Sequence, residues 1–523
     1  MSKSQYLLEY AAWRERTRSR ALLQANNDTR RYGSVPESQL STPIIHKKTI
    51  GFWSSVFIIF NRMIGTGIFA TPATVLALSG SVGLSMTLWL LGGLLAAAGM
   101  QVYVVWGCAF PQNGAEKNYL QYLFPRPTHL TLCLYGASLA LMGWAAGNAF
   151  VSAEYFLKAI LDEQPSTLLL RLTSFAVITA TLLLHGITLK WGLRVQNILG
   201  AFKLFILAII IATGLAVFRN GIPSSAGMNG GSSQWRGRAN FRNVWDGTIL
   251  NPSSICLALN SVIWSFLGFS NANYAMGEMK NPRRTIKVAG PLAVIIVAAL
   301  FLFSNVAYLS GASKEEIVSS GRLVVALLMN NVWGEKVERF VDMAVSLSTF
   351  GSVLAMVFAQ GRINQELAKE GVLPLSELLV SNKPFDAPLA GLGLHWFFCV
   401  LIIFFVPSGD IFNLVVNMGV YPFAVINTIV SFGLLYLYFA PSSRSEEHDQ
   451  YGWHLLSPSI LLSAMFFGVA NVFLIIAPFI PPPAGTEPYQ ALPYWSHAAA
   501  CWALFGLGGI WWLIRFRGQT PSN

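Results

Sequence analysis

Residues 61–72 read Asn61-Arg62-Met63-Ile64-Gly65-Thr66-Gly67-Ile68-Phe69-Ala70-Thr71-Pro72, inside an apolar run spanning roughly 52–79. Two glycines two apart, with a proline five residues on, make a locally weak helix. In lipid, backbone groups released from helical pairing must be paired by something else. Non-helical backbone is tolerated there only where it is buried or lines a cavity. The stretch therefore predicts a helix broken partway across a membrane. Its second half begins with free N–H groups and a positive dipole end, suited to a carboxylate. Its first half ends with free carbonyls, suited to an ammonium group. The competing reading is that these glycines only permit close helix packing.

The whole chain agrees with a membrane setting. Of its 523 residues, 54% are hydrophobic and only 11% charged, and the mean hydropathy is +0.52. A soluble protein carries about 25% charged residues, so a soluble enzyme, a disordered protein and a nucleic-acid-binding module are excluded. A spanning helix needs about 20 mostly apolar residues. Twelve such runs lie near 52–79, 83–110, 130–160, 168–187, 193–218, 253–276, 286–311, 337–361, 389–406, 409–438, 456–480 and 494–515. They are continuously apolar rather than alternating, which selects helices over a β-barrel. The expected fold is an all-α polytopic membrane protein with 12 transmembrane helices. The expected division is a tail at 1–49, a core of ten spans at 50–440, and two further spans with a short C-terminus at 441–523.

An even number of spans puts both termini on one side. The tails and the loops on that side hold 23 Lys and Arg: nine in the N-terminal tail, two in the C-terminal tail and twelve in loops. The opposite loops hold ten. This bias favours cytoplasmic termini and gives the formal charge of +11 a membrane explanation. The tail 1–49 reads as disordered or locally helical, with Lys3, Lys47 and Lys48 as solvated charges or modification sites. The Gly-, Ser- and Asn-rich loop 219–251 reads as an external lid or linker. The five cysteines form no disulfide framework.

The sixth run contains Trp264-Ser265-Phe266-Leu267-Gly268-Phe269-Ser270-Asn271-Ala272-Asn273-Tyr274. One glycine is followed by Ser and two Asn in an otherwise apolar stretch. Spans one and six are corresponding members of two five-span halves. Paired interruptions at corresponding positions point to a transporter's midplane site.

These residues resemble a known family. Ile64-Gly65-Thr66-Gly67-Ile68-Phe69 with Pro72 is similar to the first-span signature of the amino acid–polyamine–organocation superfamily. Glu278-Met279-Lys280-Asn281-Pro282-Arg283-Arg284 resembles the loop after its sixth span. Leu193–Lys203 resembles the fifth span of its L-type amino acid transporter branch. Asn61-Arg62-Met63, Asn271-Ala272-Asn273-Tyr274 and Gln360–Gly371 narrow the likeness to the fungal high-affinity methionine permease group. The resemblance covers roughly 50–440. It implies a five-plus-five inverted repeat with broken helices one and six, two extra helices and alternating access. It implies substrate binding by Ile64, Gly65, Thr66, Gly67, Trp264, Gly268, Phe269 and Ser270. The Thr66 and Gly67 backbone would take the carboxylate, the Ile64 and Trp264 carbonyls the α-ammonium, and Trp264 would also be a gating aromatic. Leu267 stands where many relatives have glycine, so a shorter sixth-span break is expected. The loop Leu161–Thr167 lacks the cysteine through which mammalian L-type carriers hold a heavy chain, so no such subunit is expected.

Charges inside the spans cost about 3 kcal/mol or more and mark function by default. Lys203 lies about ten residues into the fifth run. In relatives of this kind a lysine there replaces a sodium ion linking spans one and eight. It reads either as a proton-coupling group or as a permanently charged strut. Arg62 reads as a cytoplasmic gate pairing with an acid, or as an interfacial anchor. Glu278, with Arg283 and Arg284, reads as a charged latch. His185 and His395 read as interfacial residues at span ends. No HExxH, Ser-His-Asp or Cys/His metal pattern is present, so neither an enzyme nor a cofactor or metal site is expected. The leading function is import of a neutral apolar amino acid, most readily methionine, with protons and the lipid bilayer as its other partners. The alternatives are an exchanger of other specificity and a transporter-like sensor.

Overall fold

The computed structural model describes residue 48 and residues 50–161, 165–221, 239–439, 453, 456–483 and 487–517. The tail through residue 47, the Gly/Ser/Asn-rich stretch at 222–238 and residues 162–164 lie outside the described residues. So do the readings placed on them. Lys48 is exposed.

Among the described residues, ten helices are long and apolar enough to cross a membrane: Phe52–Ala70, Val82–Ala109, Leu130–Ile160, Thr167–Gly186, Leu189–Asn220, Pro282–Gly311, Glu335–Lys369, Ile411–Phe439, Pro458–Phe479 and Ser496–Arg515. The sixth and ninth runs appear as the shorter apolar helices Pro252–Phe266 and Leu389–Phe405. All twelve runs are therefore helical. Among the described residues the extended pairing amounts to two isolated bridges, Ile50 with Met279 and Asn113 with Ala275. The protein is an integral, multi-pass membrane protein whose crossing segments are helices.

The packing interleaves the two five-span halves. The second span lies against the sixth and seventh, the third against the eighth, and the fifth against the seventh and eighth. The seventh also packs on the first. The chain just before span one pairs with the chain just after span six: Ile50 N donates to the Glu278 carbonyl at 3.1 Å, and Lys280 N to the Ile50 carbonyl at 3.1 Å. At the other membrane face, Asp410 accepts backbone bonds from Gln490, Ala491 and Leu492 at 2.6, 3.0 and 3.2 Å, pinning the loop before the last span.

Three expectations need correction. The sixth-span break is longer, not shorter. The helix stops at Phe266, Gly268 sits at φ +109°, and only 3₁₀ segments at Asn271–Tyr274 and Met276–Glu278 follow before Pro282. The positive φ is open to Gly but not to a helix, and the Asn residues that follow favour turns. Second, the third span is itself interrupted between Leu130–Ala140 and Ala145–Ile160. Third, His185 and His395 are fully buried, not interfacial. Their helices pack against the eighth span, which brings His185 to 5.4 Å from the Phe358 ring, while His395 Nε2 lies 3.5 Å from Cys399 Sγ one turn along its own helix.

Candidate functional site

The first span breaks at two residues. Phe52–Met63 ends as Ile64 turns extended (φ −77°, ψ 97°), Gly65 is extended too, and a short helix restarts at Thr66–Ala70. Three carbonyls of the restarted segment lie within reach of side-chain hydroxyls, as burial in lipid favours. Tyr308 Oη donates to the Ile68 carbonyl at 3.2 Å and Thr71 Oγ1 to the Gly67 carbonyl at 2.9 Å, while Tyr155 Oη stands 3.3 Å from the Phe69 carbonyl and 2.9 Å from that of Arg322. In the interrupted third span, Gln360 Nε2 and Trp144 Nε1 both donate to the Leu139 carbonyl, at 3.1 and 3.3 Å.

The two breaks meet. A β-carbon on Gly67 would lie 2.3 Å from Ser265 Oγ and 2.6 Å from its α-carbon. One on Gly65 would lie 3.1 Å from Ser352 Oγ, on the eighth span. Thr66 donates to Asn148 Oδ1 of the third span, and Asn148 Nδ2 stands 2.6 Å from Met356 Sδ of the eighth. Trp264 presses its ring on Gly419 of the tenth span, and its carbonyl accepts from Leu267 N at 3.2 Å.

Beside this junction lies a cavity walled by spans one, two, three, six, eight and ten. From the residues singled out in the sequence it gathers Arg62, Gly268, Phe269 and Ser270. Ile64, Gly65, Thr66, Gly67 and Trp264 sit one layer away, buried in the junction itself. The cavity falls on the side of the breaks nearer the start of span one and the end of span eight, since Arg62, Gln360 and Ile363 line it. Arg62 packs across Gly268, where a β-carbon would meet its Cγ at 2.1 Å. No carboxylate among the described residues forms an ion pair with Arg62, so the expected acid partner is not found; the cavity and the bare Gly268 backbone take its place.

Lys203 does not line this cavity and is 1% exposed. Its Nζ donates to the Asn61 carbonyl at 3.2 Å, and its Cε would touch a β-carbon on Gly351 at 3.5 Å. It thus stands between spans one and eight. Glu278 is half-buried at the end of the sixth-span break, its carbonyl bound to Ile50. At the opposite face, Arg322 Nε and Nη2 grip the Glu154 carboxylate at 2.7 and 2.9 Å.

Sequence reasoning missed Asn148, Ser265, Gln360 and Asn427, although each is a polar residue inside an apolar run, which was the available signal. It also missed Glu116, which opens the short helix Glu116–Leu123 between spans two and three. Glu116 is fully buried. Tyr103 Oη donates to its Oε1 at 2.8 Å, Tyr135 Oη lies 3.4 Å from Oε2, and Tyr274 bonds it as well. Burial holds this carboxyl above the ordinary carboxylate range, against the pull of the three hydroxyls.

A family profile described as "Amino acid permease" matches residues 50–505. The "High-affinity methionine permease" of Saccharomyces cerevisiae is 39% identical over 469 residues, covering 90% of this chain and 79% of its own length. The "Low-affinity methionine permease" of the same yeast is 29% identical over 504 residues, covering 94% and 84%. The "b(0,+)-type amino acid transporter 1" of Mus musculus is 26% identical, covering 88% of each chain.

Proposed function

The chain belongs to the amino acid permease family, and from that membership we propose that it imports methionine by proton symport with alternating access. Amino acid transport is the family's activity; methionine comes from the name of a relative sharing 39% identity over 90% of this chain. The carrying observation is the junction of two broken helices, with Gly67 against Ser265, beside a cavity. Bare N–H groups at Thr66 and Gly67 receive the carboxylate, and the carbonyls of Ile64 and Trp264 receive the ammonium group. Phe269, Ser270 and Gly268 offer the side chain an apolar and small surface with no fixed counter-charge. Such a pocket separates isosteres by only about 1–3 kcal/mol per methylene, so leucine competes.

Trp264 closes the path on one side of the substrate and Arg62 on the other, with Glu278 as part of the inner latch. Lys203 couples the states: at the Asn61 carbonyl it gains or loses its proton as span one moves against span eight. Residues 50–440 carry transport, and both termini are cytoplasmic, with the chain in the plasma membrane. The carrier works without a disulfide-linked heavy chain and performs no covalent chemistry.

The test is an uptake panel in transport-deficient cells with labelled methionine, leucine, cysteine and arginine, varying pH and sodium separately. Saturable methionine uptake that rises with external acidity and ignores sodium is expected. Indifference to methionine, or equal uptake of arginine, overturns the reading.

A further inference from the structure

Tyr103 has one hydroxyl hydrogen and two oxygens in reach of it: Glu116 Oε1 at 2.8 Å and Asn427 Oδ1 at 2.9 Å. One hydrogen cannot satisfy both. Two arrangements complete the chain. If Glu116 is protonated, its Oε1–H donates to Tyr103 Oη and Tyr103 donates to Asn427 Oδ1. If Glu116 is ionised, Tyr103 turns its hydrogen to the carboxylate, and the Asn427 amide reverses so that Nδ2–H donates to Tyr103 Oη. Amide orientation follows the hydrogen-bond network in this way.

The two ends of the chain face different surroundings. Tyr103 and Asn427 line the cavity beside Gly268, Phe269 and Ser270. Glu116 lies behind them, 0% exposed. The groups facing it are Tyr103 from span two, Tyr135 from span three, Tyr274 within the sixth-span break and Tyr119 from its own helix. The adjacent Lys117 is engaged elsewhere, on Glu370 at 2.5 Å. Arg62 reaches the neighbourhood through the cavity, acting on Tyr274 rather than on Glu116. No cation among the described residues forms an ion pair with Glu116. A buried carboxylate without a counter-ion takes up a proton readily.

We propose that Glu116 is a proton-binding site of the carrier, and that Tyr103 relays its protonation state to the amide of Asn427 at the cavity wall. The balance is one proton: an O–H bond forms at Glu116 from hydronium and breaks on release to water, while Tyr103 and Asn427 only reorient. Protonation frees the Asn427 N–H₂ group to face the cavity, and ionisation turns its carbonyl there instead. The cavity thus alternates between offering donors and offering an acceptor to a zwitterion. This inference rests on the symport reading and adds to it a second titrating group, whose partners are distinct from those of Lys203.

The test uses the purified full chain in proteoliposomes. Labelled methionine uptake driven by an imposed pH gradient is compared with methionine counterflow at equal pH, alongside the infrared difference spectrum between acid and alkaline buffer. E116Q is expected to lower the ratio of driven uptake to counterflow at least tenfold and to remove a protonated-carboxyl band. Y103F, which keeps the carboxyl, is expected to keep the band and lower the same ratio at least threefold; it carries the test if E116Q does not fold. An E116Q or Y103F protein with the unmodified ratio overturns the inference alone. An unmodified protein that exchanges methionine but ignores the pH gradient overturns symport, and this inference with it. One that carries no methionine overturns the substrate assignment, while loss of the carboxyl band in E116Q still supports the proton site.

Discussion

Gly67 of the first span faces Ser265 of the sixth so closely that a β-carbon on the glycine would lie 2.6 Å from the serine's α-carbon. Both positions lie at helix interruptions, and the contact is backbone to backbone, so neither side can yield by rotating a side chain. Gly67→Ala therefore pushes spans one and six apart. Overpacking of this kind costs about 1–3 kcal/mol. Methionine uptake at normal membrane expression is expected to fall at least tenfold, and uptake per molecule measured by surface labelling checks it.

Lys203→Met removes a buried cation from the Asn61 carbonyl while keeping the side chain's length. Uptake is expected to fall at least tenfold and the remainder to lose its dependence on external pH. Initial rates across a pH series decide it; unchanged rates with the same profile would end the coupling role.

Gln360→Leu leaves the Leu139 carbonyl with only the Trp144 bond and places an apolar group at the cavity wall. An under-satisfied buried carbonyl costs about 1–3 kcal/mol. A lower unfolding midpoint in detergent is expected, with methionine affinity changed less than stability.

The Arg322 grip on Glu154 is two-pronged and mostly shielded, with 21% and 18% of the two side chains exposed. Arg322→Gln and Glu154→Gln are each expected to destabilise the packing at this face by roughly 1–3 kcal/mol. The double variant should be no worse than the worse single one. A thiol placed on the cavity side of the pair should label faster in each variant.

Burial raises the Glu116 carboxyl, so the folded protein holds that proton more tightly than the unfolded chain does. The stability this contributes is complete below the ordinary carboxylate range and is lost as pH climbs through the raised folded value. Unfolding midpoints in detergent should fall over that window, and E116Q should flatten the fall.

Much of this protein was legible before its coordinates. All twelve apolar runs are helices, and the interruptions at Ile64–Gly65 and Gly268 stand where Gly and Pro weaken the pattern. The third-span interruption was not legible, because Leu141-Met142-Gly143-Trp144 offers one isolated glycine in an apolar run, which membrane helices commonly carry. Its carbonyl is satisfied by Gln360, more than 200 residues later. The length of the sixth-span break was misjudged because Leu267, a good helix former, ends its helix beside Gly268.

Sequence alone determined the membrane setting, the helical class and the two weak points, because lipid leaves backbone groups no partner but the helix itself, and a residue's own chemistry decides whether the helix holds. Tertiary structure alone decided which side of the breaks is hollow, that Arg62 meets a glycine rather than an acid, and that Glu116, Tyr103 and Asn427 form one chain of hydrogen bonds. Those depend on side chains from separate helices arriving within about 3 Å of one another, a distance that spacing along a single strand of text does not encode.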